Sequence, residues 1–315
     1  MDYKSYDCSL EDLKQHLARD GVATVPNVLT AAECERLRND IWDGIHHITK
    51  GRFDINDEST WSSFYDLMPL HSMLLQRHVG HMQPVWDIRQ HAKVKEVFST
   101  LWDTDDLLVS FDAISIHLPS EKTNRGWYKR NDWLHTDQSP RKTNLHCYQG
   151  LINLYPVNDY DATLSVLEGS HNHHEALFKE FKKDVKEDWY KITTNEYDHL
   201  LARGCQRTCV KGGEGSMFVW DSRTFHQGIE AQRMRANPNF RMVAYVCMTP
   251  RSKCTPANLR KRITAFENLR MTTHWPHLPK LFPLKPRLYP GMTLPDCDPV
   301  PSPTLTPEGR RLVGY

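Results

Sequence analysis

Phe218-Val219-Trp220-Asp221-Ser222-Arg223-Thr224-Phe225-His226 is a strand-like run that ends on a lone histidine. Outward from it, Asp137 of His135-Thr136-Asp137 lies 89 residues before His226, and Arg241 lies 15 residues after it. Residues at i and i+2 of a strand face the same way, so a strand over 135–137 presents His135 and Asp137 together. With His226 they make two imidazoles and one carboxylate. That facial set suits non-haem Fe(II), because it leaves positions open for a co-substrate and dioxygen. Arg241 opens the apolar run Arg241-Met242-Val243-Ala244-Tyr245-Val246-Cys247. A guanidinium there can clamp a carboxylate bidentately beside the metal. Its rivals Arg233 and Arg235 fall in a loop around Ala236-Asn237-Pro238-Asn239, so Arg241 is the favoured anchor.

Strand-like runs recur at 107–117, 145–155, 162–167, 208–210, 216–220 and 241–248, with β-branched and aromatic enrichment. Short strands separated by turn signals predict a barrel or sandwich. Helices are expected at 9–20, started by Ser9 and stopped by Gly21, and at 31–48. Thr30 and Glu33 form a capping-box pattern for the second of these. A third helix is expected over 84–102, and a charged, mostly helical insertion over 171–203. The tail from 276 is Pro-rich and expected to be extended or wrapped over the surface.

The 315 residues suffice for one or two domains with a sizeable core, being 39% hydrophobic and 25% charged. A net charge of +1 gives no global field for nucleic acid or membrane. No apolar run approaches the roughly 20 residues of a membrane span. The polar start Met1-Asp2-Tyr3-Lys4 lacks a signal-peptide core, so a cytoplasmic location is expected. Eight scattered cysteines without a Cys-x-x-Cys pair read as reduced thiols.

Asp20-Gly21-Val22-Ala23-Thr24-Val25-Pro26-Asn27-Val28-Leu29 and the capped helix after it resemble the opening of the phytanoyl-CoA dioxygenase family. Leu164-Ser165-Val166-Leu167-Glu168-Gly169-Ser170-His171 resembles that family's turn, with Glu168 in place of proline. Gly215-Ser216-Met217-Phe218-Val219-Trp220-Asp221, followed by His226, resembles its strand leading to the distal histidine. The resemblance covers about residues 9–250, and the ordered set is more specific than any one motif.

The resemblance implies an α+β protein with a mainly β core, a double-stranded β-helix or jelly roll with flanking helices. It implies one oxygenase domain over 1–315: a helical flank at 1–105, a jelly-roll core at 106–250 carrying the 171–203 insertion, and a C-terminal extension at 251–315. It implies Fe(II) held by His135, Asp137 and His226, and 2-oxoglutarate as co-substrate with its distal carboxylate on Arg241. Dioxygen is then consumed, succinate and CO2 are released, a C–H bond of an unidentified substrate is oxidised, and ascorbate is a stimulating reductant. Because Asp137 retains the carboxylate that halogenating relatives lack, hydroxylation is favoured over halogenation. Gly228 stands where many members place a hydroxyl, and Leu151 close to where some have an aromatic. Gln149 or Asn153 on the same strand would donate to 2-oxoglutarate instead.

Two other readings compete: a cupin-like metalloprotein with chemistry independent of 2-oxoglutarate, and a non-catalytic jelly-roll binding module. Arg241 weighs against the first, and the intact triad against the second. Lys122, Arg125, Lys129, Arg130, Arg141 and Lys142, interleaved with Trp127, Tyr128 and Trp133, flank the metal pair. They read equally well as a rim for an anionic substrate or as a solvated loop. The insertion reads equally well as a lid or as surface decoration. His171, His173 and His174 read as a helix start with solvated side chains. His46, His47 and His274-Trp275-Pro276-His277 get the same structural reading.

Overall fold

A computed structural model describes residues 1–286, 288, 291 and 293–315. Its centre is a jelly-roll-like pair of six-stranded sheets with helices on the outside. One sheet runs, in spatial order, Asp2–Ser5, Gln206–Lys211, Thr163–Glu168, His226–Ile229, His135–Thr136 and Tyr190–Lys191. The other runs Val22–Val25, Met217–Asp221, Tyr148–Asn153, Arg241–Tyr245, Ile114–His117 and Met73–Leu74. Pairing is antiparallel throughout except where Asp2–Ser5 lies parallel to Gln206–Lys211.

The period-2 alternation of each strand decides which layer its side chains join. Phe218 and Trp220 face inward, where they meet Leu151 and Val243 of their own sheet and Leu164, Val166 and Val210 of the other. Met217 and Val219 face outward onto the N-terminal helices, in a core with Leu37, Ile41 and Ile45. The insertion covers the outer face of the other sheet, where Leu177, Phe178 and Leu200 pack on Leu167 and Phe225. Among the described residues no helix is long and apolar enough to cross a membrane. All eight cysteines are free thiols.

The helix Ala31–Ile48 has the expected bounds and a complete Thr30–Glu33 capping box. The first helix is shorter than expected, Leu13–Asp20. Ser9 still accepts the Asp12 N–H at 3.2 Å, but the turn it caps is not yet α-helical. The helix expected over 84–102 is two, Gln83–Arg89 and Ala92–Trp102, separated at Gln90 and His91. There Gln90 accepts hydrogen bonds from the backbone and hydroxyl of Thr306, tying the tail to this break. The single run at 107–117 is also two strands, Leu107–Val109 and Ile114–His117, and the first pairs with Met248–Pro250 in a separate ladder.

Residues 293–306 run extended along the N-terminal helices, and a helix that was not foreseen, Pro307–Val313, follows them. Fully buried Arg262 pins it. Its guanidinium donates to the carbonyls of Val109, Pro276, Leu312 and Val313. Four accepting carbonyls offset the cost of burying that charge.

Candidate active site

The sheets place His226 directly opposite His135 in an antiparallel pair. The strand at His135 is only two residues long, so Asp137 lies just beyond it, held by its N–H to the Ser222 carbonyl. The three side chains meet, with one ligand atom from each lying within 4.8 Å of the others. Asp137 Oδ2 is 3.3 Å from His226 Nε2 and 3.6 Å from His135 Nε2. Metal bonds of about 2.0–2.2 Å to such donors place adjacent ligand atoms about 3 Å apart. All three residues are buried.

The two ring tautomers follow from the backbone. Nδ1 of His135 is 3.1 Å from the Trp133 carbonyl, and Nδ1 of His226 is 2.9 Å from the Thr224 carbonyl. A carbonyl only accepts, so each Nδ1 carries the proton and each Nε2 turns a lone pair inward. Burial drives the His135 imidazole toward its neutral form. Burial also opposes charge on Asp137, but the imidazoles of His274 and His135 outweigh it and hold the carboxyl well below its ordinary range. Two imidazole nitrogens beside a carboxylate oxygen are a donor set fit for Fe(II).

The motifs far apart in sequence converge behind His226. Gly21 closes the first helix at φ +77°, and a Cβ there would lie 2.5 Å from His171 Nδ1 and 2.6 Å from Thr224 Oγ1. Glycine is therefore required for both its conformation and its close approach. Its carbonyl accepts from Asp221 N and Thr224 Oγ1, while Ser170 Oγ accepts from Phe225 N at 2.9 Å. The three chain segments thus brace Phe225 and Thr224, whose carbonyl orients the His226 ring. Glu168, which replaces the expected proline, accepts from Tyr6 and Lys4 and ties down the first strand.

Arg241 sits on the neighbouring sheet, 5% exposed, with Nη1 donating to Ser115 Oγ at 2.9 Å and Nε without a partner. It lines the same cavity as the triad, a cleft of about 480 Å³. Gln149 lines it too and donates to Asp137 Oδ2 at 2.9 Å, so it contacts a triad member directly. Asn153 is not brought to this cavity. Four residues further along the strand, its amide points to the Ser216 carbonyl and hydroxyl.

The aromatic part of the rim reaches the cavity through Trp133, and Trp189, His274 and Trp275 join it without a signal in the sequence. Trp133 stacks on His135 at 4.7 Å, with His71 on its other face at 4.3 Å. Trp189, from the insertion, lies against His135 at 5.5 Å. His274 Nε2 is buried without a hydrogen bond, 4.0 Å from Asp137 Oδ2, and Trp275 follows it on the cavity wall. The purely structural reading of 274–275 is therefore corrected. His171 and His174 are also buried rather than solvated, bonded to the Ala18 and Gln138 carbonyls. The basic rim does not line the cavity. Lys122 pairs with Glu58, Arg141 with Asp184 and Lys142 with Asp188. A larger open depression of about 850 Å³ lies elsewhere, and its charges are paired as Lys211–Asp159 and Arg235–Asp161.

No family model matches the chain. It is 29% identical over 274 residues to Ava biosynthesis cluster protein O of Aspergillus versicolor, covering 84% of this chain and 86% of that protein. Among solved structures, hypothetical protein JW0805 of Escherichia coli superposes with a TM-score of 0.62 at 14% identity, covering 99% of this chain and 86% of that one. GlcNAc Inducible Gene 2, GIG2 (DUF1479), of Candida albicans gives 0.57 at 16% identity, covering 84% and 70%. At these identities the likeness to solved structures is one of fold.

Proposed function

We propose that this chain is one domain of the phytanoyl-CoA dioxygenase type, an Fe(II)- and 2-oxoglutarate-dependent oxygenase that hydroxylates a C–H bond. The observation that carries the reading is the pairing of the His135–Asp137–His226 set with buried Arg241 on one cavity, where the Arg241 Nε still lacks a partner. A hydrolase or isomerase on the same metal needs no anchor for a co-substrate carboxylate. In the oxygenase, that cation takes the distal carboxylate of 2-oxoglutarate.

His135, Asp137 and His226 would hold the iron, whose chemistry with 2-oxoglutarate and dioxygen is oxidative decarboxylation coupled to C–H oxidation. The rest falls to the protein. The Trp133 and Thr224 carbonyls keep both Nε2 lone pairs turned inward. Gln149 steadies the Asp137 carboxylate from the opposite sheet. Ser115 fixes the tilt of the Arg241 guanidinium. Trp133 and Trp189 cover the faces of His135 and keep water from that ligand.

Succinate formation from 2-oxoglutarate by purified protein with Fe(II) and ascorbate tests the reading, beside a His135→Ala control. Turnover in the wild type that the control loses is the expected result. Absence of both turnover and Fe(II)-dependent 2-oxoglutarate binding would overturn it.

A further inference from the structure

We infer that the mouth of this cavity binds a planar aromatic substrate without net negative charge, stacked on the indole of Trp189. The inference builds on the oxygenase reading, since it names the substrate class of the same site.

Four of the chain's nine tryptophans, Trp133, Trp189, Trp220 and Trp275, line the cavity. Three of them are already engaged. Trp133 has an imidazole on each face. Trp220 is buried against His226, and Trp275 is buried with the Lys142 ammonium 4.0 Å from its ring centre. Trp189 differs, being 51% exposed, with its one aromatic neighbour the triad residue His135. Half of a large apolar ring thus lies uncovered beside the triad, where a second flat ring can stack.

Charge narrows the class. Outside the triad and Arg241, the charged groups on the cavity wall are Asp112, Glu187, Asp188 and Lys280. Asp188 is neutralised by Lys142 at 2.6 Å. Glu187 makes no ion pair among the described residues and lies two residues before Trp189 in the chain. Among the described residues Lys280 is the one cation on the wall besides Arg241, and of the rim cations Lys129 and Arg130 are exposed and do not line the cavity. Arg141 pairs with Asp184, Lys122 with Glu58, and Arg125 sits over the Tyr65 ring. The mouth therefore offers an acyl-CoA or a nucleotide no free cluster of positive charge. It accepts a neutral ring, and a cationic one gains further from the indole face.

The test is isothermal titration of the full chain with 2-naphthol, 1-naphthylmethylamine and octanoyl-CoA. It is run anaerobically with Fe(II) and 2-oxoglutarate, and again without either. Both naphthalene probes are expected to bind, with affinity reduced about tenfold or more in Trp189→Ala and within about threefold of wild type in Trp189→Phe. Octanoyl-CoA is expected to show no saturable binding. Equal affinity of the aromatic probes for Trp189→Ala and wild type, or tighter binding of octanoyl-CoA than of either, would overturn the inference. The visible charge-transfer band of iron-bound 2-oxoglutarate reports separately on the oxygenase reading. If that band is absent while Trp189-dependent binding persists in the unloaded protein, the aromatic site stands and the oxygenase reading falls.

Discussion

The floor of the cavity and its mouth are built from different parts of the chain. Gln149, Trp220, His226 and Arg241 stand on strands paired along both edges, so their directions are fixed by ladder register. Trp189, His274 and Trp275 come from the insertion and the C-terminal extension, while Met73 comes from a two-residue edge strand. The floor is polar and buried. The mouth is largely aromatic and apolar, and its key ring is half exposed. Rigid strands can hold donor atoms to the fraction of an ångström that metal and carboxylate binding require. Edge strands and the segments beyond them can vary in length and side chain with less disturbance to that floor, which suits them to substrate choice.

The sharpest way to break this division is at Arg241. Replacing it by leucine removes the charge-assisted clamp on the 2-oxoglutarate carboxylate, a net loss of about 1.5–3 kcal/mol. The KM for 2-oxoglutarate should rise about 10- to 150-fold, with affinity for the naphthalene probes little altered. Arg241→Lys should fall between, because an ammonium supplies charge without the bidentate fork. Steady-state succinate formation across 2-oxoglutarate concentrations gives the answer. If the aromatic probes weaken as much as 2-oxoglutarate does, floor and mouth do not act separately.

The division also governs how much the sequence revealed. The floor was legible because period-2 alternation and strand propensity are local properties. The His-x-Asp spacing, the run into His226 and the arginine opening the next strand could each be read from a few neighbouring residues. Even so, Asn153 was carried to the site by the resemblance, as a polar residue on the strand of Gln149. A shared face does not mean a shared depth, and four residues of strand take it to Ser216 instead. The mouth was not legible. Nothing local to Trp189 or His274 says that a charged insertion and a Pro-rich tail return to one metal set. Their positions depend on long-range contacts such as Arg262 on the last helix and Lys142 between insertion and tail.

A second effect comes from pH, through two histidines of the appended segments. Burial holds His174 in the insertion and His277 in the extension down to about 4, against an ordinary value near 6.5. The unfolded chain therefore binds more protons than the folded one between those values. Stability is full above about pH 7 and is lost as pH falls through 6.5 toward 4. At pH 5 the loss is on the order of 2 kcal/mol for each histidine. Urea unfolding at pH 7 and pH 5 should show it, and His277→Gln should flatten the difference. Hydrogen exchange at pH 5 should rise first in 174–203 and 251–286. A uniform rise across both sheets would argue that the appended segments are no looser than the core.

The smallest predicted effect tests whether the mouth is held as one piece. Lys142 donates to Asp188 at 2.6 Å and sits 4.0 Å from the Trp275 ring centre, so one ammonium touches both the insertion and the extension. Its side chain is 21% exposed and that of Asp188 34%, which limits the ion pair to well under the buried-pair range. With the cation–π contact added, Lys142→Ala should cost about 1 kcal/mol. The consequence should be local. Arg141–Asp184 still anchors the start of the same loop, so residues 185–189 loosen while the sheets do not. Limited proteolysis within 182–189 should accelerate several-fold, about what 1 kcal/mol of local opening allows, with Tm nearly unchanged. Added 1-naphthylmethylamine should slow that cleavage if Trp189 carries the ligand, because the ring it stacks on lies at the end of the released loop. Cleavage that the probe leaves unaltered would separate the loop from the binding site and return the insertion to surface decoration.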